Sequence, residues 1–516
     1  MPQIVWSQPA NRDRPVELIV SPKETAASLQ QSLRSGVVPK TQSDSLFNRV
    51  ESIAPVFNSD RRSKNGGGAL SVFRLSVPDS ASFRRLRGRW QQHPDVCYAH
   101  ANVTFSVNAA SIPNSGRDDP VLRPKNVLAD SLDHLDVIQA LDAWSVTTGS
   151  TDVRIGVVDT GVFLEHPDLT GQFWINEAED ANGNGRFDPY PATQGGDLNG
   201  EDDDGNGFVD DVIGYDFVDR PSAIPAGEFE GRDPNPSADT LGGFSWHGTA
   251  VSGVAAAAPG DPEEGIAGVA PDTRLVALRA FGRDGRGQSD DIAAAIVYGA
   301  SNDLDVLNLS FGRDRAVPLI EDVIEYANDQ GTIVVGSAGN SLTDDPHYPS
   351  DYPDVLSVVW LGENGQLPRF NSSQFGIGVD LGAPGSAVYT ADFPADKVRE
   401  GAPLEREDLY RSPDGSSFSA PQVAGAAALL RSADPSLSPA SIRSILTATS
   451  EDIEGANWDH TTGSGLLNVE QALTRAYPAR TQITRPEHNQ GVRGDSPVAI
   501  TGTAIDPAFN QYAVFY

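Results

Sequence analysis

Cysteine is almost missing from this 516-residue chain, and the one present, Cys97, excludes an intramolecular disulfide. It lies in the apolar run Val96-Cys97-Tyr98-Ala99, which reads as a buried core thiol. Lysine is scarce too, with five (Lys23, Lys40, Lys64, Lys125, Lys397) among 38 basic residues. Acidic residues number 71 and leave a net charge of −33, so a phosphate backbone is repelled and no nucleic-acid partner is expected. No stretch approaches the ~20 apolar residues of a membrane span, so none is expected. The start, Met1-Pro2-Gln3-Ile4-Val5-Trp6, lacks the charged and apolar regions of a secretion signal.

What is present describes a globular, loop-rich protein: 39% hydrophobic residues with 50 glycines and 37 prolines. The length suggests about three domains. Residues 15–107 read as a small α+β unit. Phe73, Leu75 and Val77 alternate with polar residues as in a half-buried strand, Ser80 to Gln92 reads as a basic helix, and Val96 to Phe105 as a further strand. Residues 108–125, rich in Asn, Ser, Gly, Asp and Pro, mark a linker. From about 126 to 477, short apolar runs (Val153 to Val158, Leu275 to Leu278, Val306 to Leu309, Thr332 to Val335, Val355 to Val359) alternate with helical segments. Asp290 to Tyr298, Leu319 to Asn328 and Ala440 to Thr447 have helical spacing, the last opened by Ser438-Pro439. Such runs predict an α/β domain, with a mainly parallel central sheet and helices on both faces. Residues 480–516, with Pro497 to Ala504 and Tyr512 to Tyr516 as strands, read as the start of a β-sandwich and too short to complete one.

Three distant segments place a reactive group beside small residues: Val157-Val158-Asp159-Thr160-Gly161, His247-Gly248-Thr249 and Gly415-Ser416-Ser417-Phe418-Ser419-Ala420-Pro421. A carboxylate, an imidazole and a hydroxyl are the parts that activate an alcohol for acyl transfer. Alone, each has an ordinary explanation: a turn-capping Asp, a core His, a helix-capping Ser. Yet a serine at a helix N-terminus also lies beside backbone N–H groups suited to an oxyanion.

Together these strings resemble the subtilisin-like serine peptidases (subtilases), over about residues 126–477. The resemblance implies that Asp159 orients the imidazole, His247 acts as general base and then acid, and Ser417 attacks the carbonyl. Gly336-Ser337-Ala338-Gly339-Asn340 resembles the family's oxyanion segment, so Asn340 is expected to donate to the tetrahedral intermediate, with Ser337, Ala338 and Gly339 against the substrate. Leu309-Ser310-Phe311-Gly312 resembles the substrate-binding strand, whose backbone pairs with an extended peptide. Tyr348-Pro349 and Tyr352-Pro353 resemble the floor of the primary specificity pocket, preceded by His347 where a small residue is common. Ser416 and Phe418 stand where the family usually carries Thr and Met.

Asp159 and His247 are 88 residues apart, so an insertion, about 176–240, lies between them. Within it, Asp202, Asp204, Asn206 and Asp210, with the Phe208 carbonyl, supply oxygens at alternate positions, as in the first half of a calcium loop. The terminal Glu of that pattern is replaced by Ile213. Asp180, Asn182, Asn184 and Asp188 form a weaker copy. The alternative is a solvated acidic loop; some subtilases carry similar insertions, which implies structural calcium. Asp168 resembles a further family calcium ligand. Residues 15–107 resemble an inhibitory prodomain, implying an intramolecular inhibitor released by a cut between Phe105 and Lys125; an independent accessory domain is the alternative. The reading is a serine endopeptidase of the secreted type, made as a self-processing zymogen that acts on protein or peptide substrates outside the cell or at its surface. The competing class is an inactive, calcium-stabilised binding protein with the same fold.

Overall fold

The computed structural model describes residues 16–22, 27–34, 50, 52–56, 61–62, 69–70, 72–78, 80–107, 133–219, 231–259, 265–367, 373–453, 458–474, 480–485 and 501–505. The chain divides into two compact units, residues 1–104 with 288–294, and residues 105–287 with 295–516.

In the first unit, four antiparallel strands lie in the order Ser52–Pro55, Phe73–Val77, Val16–Pro22, Val96–Ala101. Alternation decides the face: Phe73, Leu75 and Val77 are buried with Leu18 and Val20 against Leu86 and Trp90 of the helix Ser80–Gln91. The expected strand Val96 to Phe105 is interrupted, giving Val96–Ala101 and then Thr104–Val107. Between them, the Val103 carbonyl accepts the backbone N–H of Ser289. Within this unit Asp290 also receives Arg74 Nη1 and Asn102 Nδ2, both at 2.6 Å. Cys97 is exposed, not buried, because the buried neighbour on its strand is Val96 and the pleat turns the next side chain outward.

The second unit is built on a seven-stranded parallel sheet. Its spatial order is Leu381–Pro384, Val355–Leu361, Ile333–Ser337, Val306–Leu309, Arg154–Asp159, Arg274–Arg279, Gly214–Asp216. The apolar runs of the sequence form these strands because both faces are covered. Ile155, Val157, Leu275, Ala277, Ile333 and Val335 share one core with the helices His247–Ala256 and Ser416–Ala433. Val158, Val276 and Leu278, facing the other way, are equally buried, as are Leu319, Ile320 and Val323 of the helix Pro318–Gln330. Gly214–Asp216, a three-residue edge strand inside the acidic insertion, has no counterpart among the expected strands. Among the described residues no helix is long and apolar enough to cross a membrane.

Arg480–Arg485 and Thr501–Ile505 pair as an antiparallel ribbon, so the expected C-terminal strands correspond in part to these; Tyr512 to Tyr516 lie outside the described residues. The expected linker 108–125 also lies outside them.

Candidate active site

Strand order reverses at Arg154–Asp159: later strands are added on one side towards Leu381–Pro384, and others towards Gly214–Asp216. In such sheets the crevice at the strand C-termini collects ligands. Asp159 ends the central strand, and Ser310 follows the neighbouring strand Val306–Leu309.

His247 is the first residue of its helix, and its Nδ1 meets Asp159 Oδ1 at 2.8 Å and Oδ2 at 2.9 Å, with both side chains buried. Small residues make the approach possible. A Cβ on Gly248 would lie 2.3 Å from the Gly161 carbonyl oxygen, so the motif tolerates only glycine there. The Gly248 N–H donates to Thr160 Oγ1 at 3.0 Å, and Thr160 N–H to Asp159 Oδ1 at 2.7 Å, which fixes the carboxylate. His247 Nε2 is buried with no hydrogen-bond partner.

Ser417 occupies the first turn of the helix Ser416–Ala433. Four residues on, Pro421 has no N–H, so the Ser417 carbonyl lacks its helical partner. That carbonyl accepts Ser310 Oγ at 3.0 Å, while Asn308 Nδ2 donates to the same hydroxyl at 2.9 Å. The helix break thus ties the Ser417 backbone to Ser310. Ser417 Oγ donates to the Ser310 carbonyl at 3.2 Å. The Phe418 ring packs against both Trp246, stacked at 6.2 Å, and His247 at 5.7 Å, which lie 5.6 Å from each other.

Asn340 is fixed by Ser416, which the sequence marked only as standing where the family usually carries Thr. Its Oδ1 accepts both the backbone N–H (3.0 Å) and Oγ (2.9 Å) of Ser416, which commits the acceptor end of the amide and presents the NH2 end as donor. Ser416 Oγ also accepts the Gly339 N–H at 3.1 Å, binding the Ser337-Ala338-Gly339 segment to the same helix start.

Thr104–Val107 lies antiparallel on Phe311–Gly312, with Val107 opposite Phe311 and Ser106 opposite Gly312. Val107 N–H also donates to the Gly285 carbonyl at 3.0 Å, so the segment lies between two strands. The buried Phe105 ring packs edge-on against Phe311 at 5.9 Å, and Phe311 packs against Phe281 at 4.7 Å.

In the insertion, carboxylate oxygens of Glu179, Asp204 and Asp211 lie within 4.8 Å of one another. Of these only Asp204 belongs to the alternate-position pattern. Glu179 accepts N–H groups of Asp203, Asp204 and Asp210 across the two loops, and Tyr298 donates to Asp211 at 2.6 Å. Burial, opposed by hydrogen bonds from Tyr298 and Asn206, pushes Asp211 up to about 7, with Asp204 and Glu179 adding repulsion. Asp202 keeps Oδ2 on the Gly207 N–H (3.0 Å), and its buried Oδ1 has no hydrogen-bond partner. Asp210 departs from the expected set: its carboxylate turns to the N–H groups of Asn199 and Gly200 at 2.8 Å and 3.1 Å. The Phe208 ring packs on Tyr215, Phe217 and Tyr298, fixing the loop to the aromatic core. In the weaker copy, Asn182 and Asn184 donate to Asp188 Oδ2 at 3.2 Å and 2.6 Å, and Asp180 accepts three backbone N–H groups. Asp197, raised by burial, receives the N–H groups of Asn182 and Asp188 and was not expected from the sequence. Asp168 Oδ2 accepts Ile266 N–H and Tyr410 Oη.

A carboxylate-oriented imidazole beside a serine at a helix start, on a parallel α/β sheet, defines the serine hydrolase class. The sequence model of the subtilase family matches residues 150–465. A thermophilic serine proteinase of Bacillus sp. (strain AK1) is 31% identical over 364 residues, 70% of this chain and 69% of the relative. Thermitase of Thermoactinomyces vulgaris is 30% identical over 338 residues, 65% of this chain and 93% of the relative. Fervidolysin from Fervidobacterium pennivorans, described as a keratinolytic enzyme related to subtilisin, shares the fold with a TM-score of 0.61 at 21% identity, over 97% of this chain and 69% of that one. The chain belongs to the subtilase family, and it is a serine endopeptidase.

Proposed function

We propose that the endopeptidase works through an acyl-enzyme, with Asp159, His247 and Ser417 as its relay. The buried Asp159–His247 pair beside the helix carrying Ser417 is the observation that supports this most directly. Asp159 holds Nδ1–H, leaving Nε2 as the base. Chemistry requires Ser417 Oγ to leave the Ser310 carbonyl for Nε2. Oγ then attacks the peptide carbonyl carbon as its proton passes to Nε2. The carbonyl π electrons move onto oxygen, where Asn340 and helix N–H groups donate to the negative charge. Collapse breaks the C–N bond, and Nε2 returns the proton to the leaving amine. Water, deprotonated by the same nitrogen, then releases the acid. The Ser310-Phe311-Gly312 strand and the Ser337-Ala338-Gly339 segment hold the extended substrate.

The chain is read as a zymogen whose own segment occupies the substrate strand until cut. The antiparallel pairing of Val107 with Phe311 and of Ser106 with Gly312 on that strand supports this reading, and the cut is read within the interval 105–125. Such a protein suits activity outside the cell or at its surface.

Structural calcium is the reading of the acidic insertion. Glu179, Asp204 and Asp211 form an all-oxygen donor set of the kind that ion takes. Bound calcium would neutralise carboxylates that otherwise repel across the two loops. Asp180, Asn182, Asn184 and Asp188 offer a second oxygen set.

Ser417→Ala tests the central reading. The expected outcome is an uncut chain with no peptidase activity and no labelling by a fluorophosphonate, while the wild type is labelled at Ser417. Normal maturation of that variant refutes it.

A further inference from the structure

We propose that His347 sets the substrate preference of the endopeptidase, by filling the depth of the primary pocket and restricting the residue before the scissile bond to small, uncharged side chains. The inference rests on the reading of Ser417 as nucleophile. A peptide strand laid like Thr104–Val107 runs antiparallel along Phe311–Gly312 towards Ser310, so its next residue arrives beside Ser417. The segments Ser310–Gly312 and Ser337–Gly339 follow neighbouring parallel strands, paired at Leu309 and Gly336, and on this reading the side chain of that residue enters between them. Both walls are glycine at their critical points, which by itself promises a deep slot.

The imidazole of His347 takes that room. A Cβ on Gly312 would lie 2.0 Å from His347 Cε1 and 2.1 Å from Nε2, and one on Gly339 would lie 2.8 Å from Cδ2. Gly339 has a φ of +102°, which favours glycine irrespective of space. The ring touches both walls and is 7% exposed.

It is also held in place. Arg313 and Tyr348 exchange backbone hydrogen bonds of 2.9 and 2.8 Å, pinning the residue after His347 to the residue after Gly312. His347 N–H donates to Asp351 Oδ2 at 3.1 Å, Nδ1 lies 3.0 Å from Ser350 Oγ, and the ring hydrogen-bonds to the Ser337 backbone. Burial lowers its pKa to about 4, so the ring is neutral at ordinary pH and offers no charge to an acidic side chain. A large aromatic side chain entering the slot must displace an anchored ring, whereas alanine or serine need not.

The test is a panel of otherwise identical peptides carrying Gly, Ala, Ser, Asn, Leu or Phe before the scissile bond. For wild-type enzyme, kcat/KM for Ala is expected to exceed that for Phe by about tenfold or more, and His347→Gly to reverse the order by raising Phe about 10–100-fold. A parallel cleavage-site map of wild-type enzyme on an unfolded protein, read by mass spectrometry, reports the same preference if the variant fails to fold. Equal rates for Ala and Phe, or an unchanged ratio in a folded His347→Gly protein, overturn the proposal while fluorophosphonate labelling of Ser417 leaves the enzyme reading intact. A wild-type protein neither labelled nor active on any peptide overturns both.

Discussion

The cleft and the acidic insertion solve the burial of carboxylates in opposite ways. Asp159 lies buried with a partner for each oxygen, His247 and the Thr160 N–H, inside a frame of parallel strands. Glu179, Asp204 and Asp211 are gathered with each other, and neutral donors such as Tyr298 and Asn206 leave Asp211 pushed up to about 7. The first arrangement is complete within the protein. The second gathers like charge that only neutral donors oppose, which is why a cation is proposed there. The difference is that Asp159 is oriented by donors of the protein itself, whereas the proposed role of the acidic group depends on something soluble.

The comparison can be broken most sharply at Ser417. Ser417→Ala is expected to reduce turnover by about a millionfold in single-turnover peptide assays, whereas Asp204→Ala with Asp211→Ala should leave kcat of the folded fraction unchanged. Next, Asn340→Leu is expected to reduce kcat by about 10²–10³ with KM little altered, the scale such a donor has in a subtilisin. Ser416→Ala, which removes one of two holds on the Asn340 carbonyl, should reduce kcat by about tenfold with KM unchanged, about 1.4 kcal/mol of transition-state stabilisation. An equal loss in KM would make Ser416 a substrate contact and not a positioning residue.

Stability should divide the other way. Chelator is expected to lower the melting temperature of the wild type by several degrees, and the Asp204→Ala, Asp211→Ala protein should no longer respond; calorimetry with and without added calcium decides this. A separate pH effect is expected at His134. Burial lowers its pKa to about 4 from the ordinary 6.5, so folding favours the neutral ring. Its contribution is present above pH 6.5 and lost as pH falls towards 4, up to about 3 kcal/mol. His134→Leu should flatten unfolding free energy over that interval, and His347 contributes a similar slope of its own.

What could be read in advance follows from range. Apolar runs such as Leu275 to Leu278 betray a sheet buried on both faces because every residue of the run is apolar, and the strand appears at Arg274–Arg279. The motifs name Asp159 and His247, which meet at 2.8 Å, because the close packing there demands small residues: a Cβ on Gly248 would collide with the Gly161 carbonyl, and one on Gly161 with the Pro236 and Ser237 carbonyls. Ser416 gave no such signal, since holding the Asn340 carbonyl needs only a hydroxyl and an N–H, which many residues supply. The acidic cluster misled for a different reason. Counting alternate positions assumes one loop wraps its ion, whereas Glu179 is contributed by the preceding loop and Asp211 lies one place beyond the pattern. Asp210, expected to face inwards, has a φ of 57° and spends its oxygens on Asn199 and Gly200. Cys97 shows the limit of reading burial from neighbours: an apolar run that is one strand face deep still turns alternate side chains to water.

The segment Thr104–Val107 on Phe311–Gly312 has a kinetic consequence. On the proposed zymogen reading, this tethered segment would compete with incoming peptides at a high effective concentration, independent of how dilute the protein is. A single backbone cut near it would then change the law that governs its occupancy: the blocker would become a separate solute, and dilution alone would favour the open enzyme.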